Sequence, residues 1–402
     1  MNKGFLREGH LPTLFAAFLY FDISFMAWVL LGPLAVQIAR DLHLNSAEKG
    51  LLVATPVLAG ALFRVVNGVL VDWLLPRRAG IISQIVVLAG LTAAWYFGVH
   101  TYPQVLLVGC VLGVAGASFA VALPLASRWY PPEHQGTALG IAGAGNSGTV
   151  FAALFAPGLA LAFGWNNVLG LACIPLAIAF VTYLVLAKDA PGAPDRKTFA
   201  QHMSVLAGRD AWWFMFFYSV TFGGFVGLAS SLTIYFNAEY GLSPITAGYF
   251  TAACVFAGSL VRPVGGGIAD RIGGIRALSV FYTVAAIAIG LVSFRPPQSW
   301  MALALFVVGM LALGMGNGSV FQLVPLRFRR EIGVMTGLVG MFGGVGGFYL
   351  ASSLGISKQY TGSYQSGLLV FAILALVALV GLTSIKSRWR TTWGAALAAA
   401  RI

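Results

Sequence analysis

Apolar residues in this chain neither alternate nor recur along one helical stripe; they run on for roughly twenty positions at a time. Such runs fall near residues 12–38, 50–71, 79–98, 104–127, 136–160, 166–187, 212–237, 244–268, 276–294, 299–326, 333–355 and 363–386. As helices rising 1.5 Å per residue, each reaches across a hydrocarbon layer of about 30 Å. Backbone N–H and C=O groups find no partners in lipid, so long apolar runs predict helices, not isolated strands. The pattern therefore predicts an all-α membrane protein with twelve transmembrane helices. The first run is not followed by a small-residue cleavage site and reads as a first span, not a signal peptide. One longer polar stretch, from Lys188 to Asp210, is rich in Pro, Gly and charge and separates six spans from six. It divides the chain into a first six-helix bundle (1–187), a cytoplasmic linker (188–211) and a second bundle (212–402).

Composition supports this division. The chain is 59% hydrophobic and 9% charged, where a soluble domain carries about 25% charged residues. A net charge of +12 invites a nucleic-acid partner, until the placement of the charges is considered. With both termini in the cytoplasm, eighteen of the 24 Lys and Arg fall on that side, among them Lys3, Arg7, Arg196, Lys197, Arg329, Arg330 and Arg401. Four (Arg40, Lys49, Arg295 and Lys358) fall outside, and two lie within the membrane. That bias is the positive-inside signature of topology and implies no nucleic acid.

Local chemistry is sparse. Cys110, Cys173 and Cys254 sit far apart inside apolar spans, as packing residues. His10, His43, His100, His134 and His202 all lie in or near loops. No metal, nucleotide or nucleophile–base motif can be assembled, so neither an enzyme nor a bound metal or cofactor is expected.

The two halves repeat one another. Arg64-Val-Val-Asn-Gly-Val-Leu-Val-Asp72 matches Arg262-Pro-Val-Gly-Gly-Gly-Ile-Ala-Asp270 at an offset of 198 positions. Leu123-Pro124-Leu125 followed by Gly136 to Gly148 matches Val324-Pro325-Leu326 followed by Gly333 to Phe348. Homologous six-helix halves with a shared midplane cavity describe a secondary transporter whose halves rock about the substrate. Glycine at this density allows close helix crossing and close approach of a small ligand.

Three acids or bases other than Tyr and Cys lie well inside a span: Asp22, Arg64 and Arg262. A guanidinium in hydrocarbon costs roughly 2.5–3.5 kcal/mol on insertion scales. Each arginine lies about 12 Å from the aspartate eight residues on, near mid-bilayer. Pseudo-twofold symmetry would turn both toward one cavity, where their planar forks suit a planar oxyanion. The bland alternative pairs each arginine with a structural partner, such as Asp22 or a helix end. One aspartate does not neutralise two arginines. Phe25 in span one, Phe119 in span four, Tyr218 and Phe222 in span seven and Phe321 in span ten supply aromatics, and Asn146 is a carboxamide that needs partners when buried.

With Arg64, Arg262, the segment Gly116-Ala-Ser-Phe119-Ala120, the glycine-rich signature around Asn146 and its counterpart Gly337 to Phe348, the chain resembles the nitrate/nitrite porters of the major facilitator superfamily. Tyr218 and Phe222, four apart, are similar to that family's span-seven pair. The resemblance implies that Arg64 and Arg262 clamp the anion while Asn146 and Tyr218 hydrogen-bond to it. It also implies that Phe25, Phe119, Phe222 and Phe321 shape the slot, with Gly143, Gly337 and Gly340 in the signatures beside it. Gly266-Gly-Ile-Ala-Asp270-Arg271-Ile-Gly273 resembles the superfamily's gating loop; the first copy keeps Asp72 but lacks the following Arg.

The expectation is nitrate uptake across a bacterial cytoplasmic membrane by alternating access, proton-coupled, by a monomer in the lipid bilayer. Asp22 is the carboxyl placed to load the proton, or else it forms a permanent structural bond. Nitrate/nitrite exchange, a small organic-anion antiporter and a non-transporting nutrient sensor are the alternatives.

Overall fold

The computed structural model describes residues 8–191, 204–328 and 332–393. Seven of the basic residues counted for topology (Lys3, Arg7, Arg196, Lys197, Arg329, Arg330 and Arg401) lie outside the described residues. So do His202 and most of the segment expected as the linker, and the side chains of His134, Gly136 and Gly333 are not described either.

Among the described residues, twelve helices are long and apolar enough to cross a membrane. They are α1 (Leu11–Asp41), α2 (Ser46–Leu74), α3 (Pro76–Phe97), α4 (Tyr102–Ser127), α5 (Ala138–Phe163) and α6 (Trp165–Leu186) in the first bundle. The second holds α7 (Arg209–Tyr240), α8 (Pro244–Ile272), α9 (Gly274–Ser293), α10 (Ser299–Arg327), α11 (Val334–Thr361) and α12 (Gln365–Thr391). Each observed helix overlaps the corresponding apolar run. Large apolar side chains such as Phe97, Leu107, Phe155, Val185 and Val380 are exposed around the outside, as a lipid-facing surface requires. Cys110 joins them; of the three cysteines only Cys254 is buried, so packing does not account for Cys110.

Four helices are irregular at mid-length. α1 is interrupted at Val29–Leu30, α4 at Ala117–Ser118 and α8 at Val261, and α5 tightens into a 3-10 turn over Ala144–Ser147. In α8 the cause is local: Pro263 follows Arg262 and has no N–H to return to the preceding turn. All four irregularities surround the same central region.

The two bundles touch most closely in the half remote from the linker. A Cβ added at Gly50 of α2 would lie 2.8 Å from the Gly355 Cα of α11, so only glycine permits that crossing. The Ser46 N–H donates to Gln359 Oε1 at 3.1 Å across the same seam. Gly32 of α1 meets the Ser230 backbone of α7, and Gly248 of α8 meets the Ala153 carbonyl of α5. At the linker end, Asp210 binds Arg327 at 2.7 Å, Arg388, and the Trp389 indole at 2.9 Å, all within the second bundle. Asp72 pairs with Arg128 at 3.8 Å inside the first bundle. The degraded loop thus keeps an ion pair, drawn from α4 instead of its own sequence.

Candidate functional site

Arg64 is 2% exposed, in the middle of α2. Its Nε donates to the Gly116 carbonyl at 3.3 Å, and its Nη1 donates to the Gly340 carbonyl of α11. The first acceptor exists because α4 breaks. The Ala120 N–H bonds to Ala117 O at 3.0 Å, one residue short of the regular α-helical acceptor, leaving Gly116 O for the arginine. The second bond carries Arg64 across to the other bundle. Its guanidinium also lies over the rings of Trp28 (5.3 Å), Phe119 (5.4 Å) and Phe222 (5.2 Å). Each such contact is worth about 0.5–2 kcal/mol. Nη2 remains buried with no partner.

Arg262 reaches the same place from α8. Its Cζ lies 4.9 Å from the Phe321 ring centre and 6.0 Å from that of Phe119. Because both arginines flank Phe119, their Cζ atoms are no more than about 11.4 Å apart. The Tyr218 phenol stands beside both guanidinia. Arg262 Nη1 is also buried without a partner. Among the described residues neither arginine forms an ion pair.

Aromatic rings enclose the pair. Tyr218 stacks on Phe222 (5.1 Å, 4°) and meets Phe321 edge-on at 5.0 Å; Phe119 meets Phe321 edge-on at 6.2 Å. Phe25 touches Phe21 and Trp28, which in turn meet Phe119 and Phe222. Trp28 is the ring beside Arg64. Its indole donates to Pro56 O at 2.7 Å, and it slots between Gly60 and Gly116, where added Cβ atoms would come within 2.7 and 2.4 Å of it.

Asn146 lies in the 3-10 turn of α5, 2% exposed, with its carboxamide oxygen unpartnered. Asp22 is next to that turn: Ser147 Oγ donates to its carboxylate at 2.7 Å, and the Gly148 N–H approaches it as well. The structural pairing of Asp22 with an arginine is not formed. Gly340 supplies a carbonyl to the site, whereas Gly143 and Gly337 face open space, with nothing within 4 Å of an added Cβ. Asp270 is exposed at the linker end, and Asp72 and Arg271 both take part in interactions there.

The profile of the Major Facilitator Superfamily matches residues 15–351. The chain is 37% identical over 365 residues to the "Probable nitrate/nitrite transporter NarK2" of Mycobacterium tuberculosis, covering 89% of this chain and 91% of that one. It is 31% identical over 361 residues to the "Nitrite extrusion protein" of Bacillus subtilis, covering 89% and 90%. The chain belongs to the nitrate/nitrite porter family of the major facilitator superfamily. Among solved structures, a bacterial homologue of the human lysosomal transporter Spinster, in an inward-facing and occupied conformation, superposes with a TM-score of 0.72. At 17% identity over 96% of this chain and 98% of that one, it shares the fold.

Within this porter, sequence reasoning reached both arginines, Tyr218, Phe119, Phe222 and Phe321. It missed Trp28, whose signal was its place three residues after Phe25 on a span also bearing Asp22. It also missed the buried, unpartnered groups of Thr221, three residues after Tyr218, and Asn317, four before Phe321.

Proposed function

We propose that this porter carries nitrate across the cytoplasmic membrane of a bacterium, with both termini in the cytoplasm, holding the anion between Arg64 and Arg262. One observation carries the reading: two guanidinia from opposite bundles converge on Phe119, each with a buried N–H face that has no partner. An unpaired buried charge is strongly unfavourable. A planar anion between them gives both free N–H faces a hydrogen-bond partner and offsets one of the two charges. Nitrate is flat and weakly hydrated, so it sheds water readily and fits between Phe119, Phe222 and Phe321. Tyr218 and Asn146 add donors at its edge. Sulfate or phosphate would bring more charge and need more donors than this slot holds.

Transport follows from placing the site on the seam between bundles. Contacts between α2 and α11 close the end remote from the linker, and exchanging them for contacts at the linker end would present the anion to the other face. Arg64, bonded to α11, would move with both halves in turn. Uptake against a negative interior costs about 2.3 kcal/mol per charge per 100 mV. Protons offset this, and Asp22 is the acid placed to carry them. Its carboxylate lies against the Asn146–Ser147 turn and not against an arginine. Exchange of nitrate for nitrite is the second reading, favoured by a 28% identical relative from Thermus thermophilus named "Probable nitrate/nitrite antiporter NarK1".

Reconstituted vesicles loaded with nitrite or with buffer, then given external nitrate with and without an inward proton gradient, distinguish the two. Proton-coupled uptake predicts gradient-driven accumulation in empty vesicles, and its loss in Asp22→Asn with counterflow retained. Accumulation only in nitrite-loaded vesicles establishes exchange. Uphill uptake at the parent rate by Asp22→Asn removes Asp22 from the mechanism.

A further inference from the structure

Two buried polar groups on α7 and α10, the helices that carry Tyr218 and Phe321, have no partner. Thr221 is 1% exposed and Asn317 2% exposed, and both Thr221 Oγ1 and Asn317 Oδ1 lack any hydrogen bond. Their positions are related. On α10, Gly314 and Gly318 abut the α8 backbone at Gly258 and Arg262, while Leu313 packs on Gly224 of α7. At 100° per residue, Asn317 points between those two directions, on the face that carries Phe321 four residues later. On α7, Thr221 falls between Gly224, which meets Phe371 of α12 and Leu313 of α10, and the Tyr218–Phe222 pair. A Cβ added at Gly316 would come 2.7 Å from the Thr221 methyl, so Thr221 sits against the residue preceding Asn317.

The helices run antiparallel. Thr221 is three residues beyond Tyr218, and Asn317 four residues before Phe321, toward the same end of the molecule. Each is displaced by roughly 4.5–6 Å from the ring pair that marks the level of the site.

A helical threonine ordinarily donates to the carbonyl four residues back. Here that carbonyl, Phe217 O, receives the Tyr282 hydroxyl at 2.9 Å. Tyr282 thereby leaves the Thr221 hydroxyl available. Rotation of the Asn317 amide exchanges its oxygen for an NH₂ donor without moving the backbone. Buried groups left unsatisfied in this way cost stability, and the compensation lies in what they bind.

We propose that Thr221 and Asn317 form a third polar arm of the anion site, which donates to the oxygen that nitrate has and nitrite lacks. The inference rests on the nitrate reading and deepens it, since two guanidinia alone offer no reason to prefer three oxygens over two. With the arm in place, preference for nitrate is a property of the α7–α10 wedge.

The test is uptake kinetics of both anions by the reconstituted full chain. Asn317→Leu is expected to raise the nitrate KM about tenfold, the usual scale for losing one hydrogen bond to a charged group, and the nitrite KM less than twofold. Thr221→Val, which keeps the shape and removes the hydroxyl, is expected to raise the nitrate KM about threefold, and Thr221→Ser to restore it. Unchanged nitrate KM in both variants, or equal losses for the two anions, overturns the proposal. Should Asn317→Leu fail to fold, the Thr221 pair decides by the same criteria. An unsubstituted protein that moves neither anion overturns the transport reading itself.

Discussion

Arg64 and Arg262 occupy equivalent places in the repeat, yet the protein holds them differently. Arg64 rides an unbroken helix, is fully enclosed, bonds to two carbonyls from different helices and lies over three aromatic rings. Arg262 follows a helix break, is half-buried and has two rings and the Tyr218 phenol beside it. One residue explains much of the contrast: Val65 continues α2 where Pro263 interrupts α8. The first arginine is built into the seam between bundles. Equal charge in equivalent positions is thus held in two different ways.

The largest effect expected is on stability without substrate. Arg64→Gln forfeits its carbonyl bonds and ring contacts, and should lower the unfolding free energy by about 2 kcal/mol. Arg262→Gln should leave it within about 0.5 kcal/mol, or raise it, since a half-buried charge with no ion-pair partner among the described residues is removed. Thermal unfolding of the purified, nitrate-free protein checks both. Equal losses in the two variants would erase the distinction.

Next is the fork itself. Arg64→Lys and Arg262→Lys keep the charge but lose the planar pair of donors, and nitrate affinity should fall about tenfold or more in each. Equilibrium binding measures this, and an unaltered value for either lysine variant would make that arginine a mere point charge.

Pro263→Ala sharpens the comparison from the backbone side. By restoring the missing N–H it should draw α8 toward the continuous form of α2 and swing Arg262 away from Phe321. A rise of about threefold in nitrate KM, with stability kept or increased, is expected from uptake assays and melting curves. The smallest effect belongs to Trp28→Phe, which keeps a ring beside Arg64 but loses the bond to Pro56. Stability should drop by about 1 kcal/mol in melting curves, with the nitrate KM within about twofold of the unsubstituted protein.

The span pattern and the repeated Arg–Asp interval made the fold and the central charges legible in the sequence, because both follow from burial cost alone. The surroundings of those charges were less legible. Phe25 and Trp28 differ by three positions on α1, and which ring meets Arg64 depends on the helix phase and on Gly60 and Gly116 vacating the space. Gly116 serves through its carbonyl, which becomes free only because α4 breaks at Ala117–Ser118. Gly143 and Gly337 look equivalent to Gly340 in the signatures, but only Gly340 brings its backbone to the guanidinium. Thr221 and Asn317 were hidden among ordinary helix residues, since their lack of partners is a property of tertiary packing and of Tyr282.

Nitrate titration of the purified porter in chloride-free buffer, alongside Arg64→Lys and Arg262→Lys, tests the shared clamp most directly. One nitrate per chain is expected for the unsubstituted protein, with binding weakened about tenfold or more by either substitution. Undiminished binding in either variant, or two independent sites each lost with one arginine, would contradict a single anion held between them.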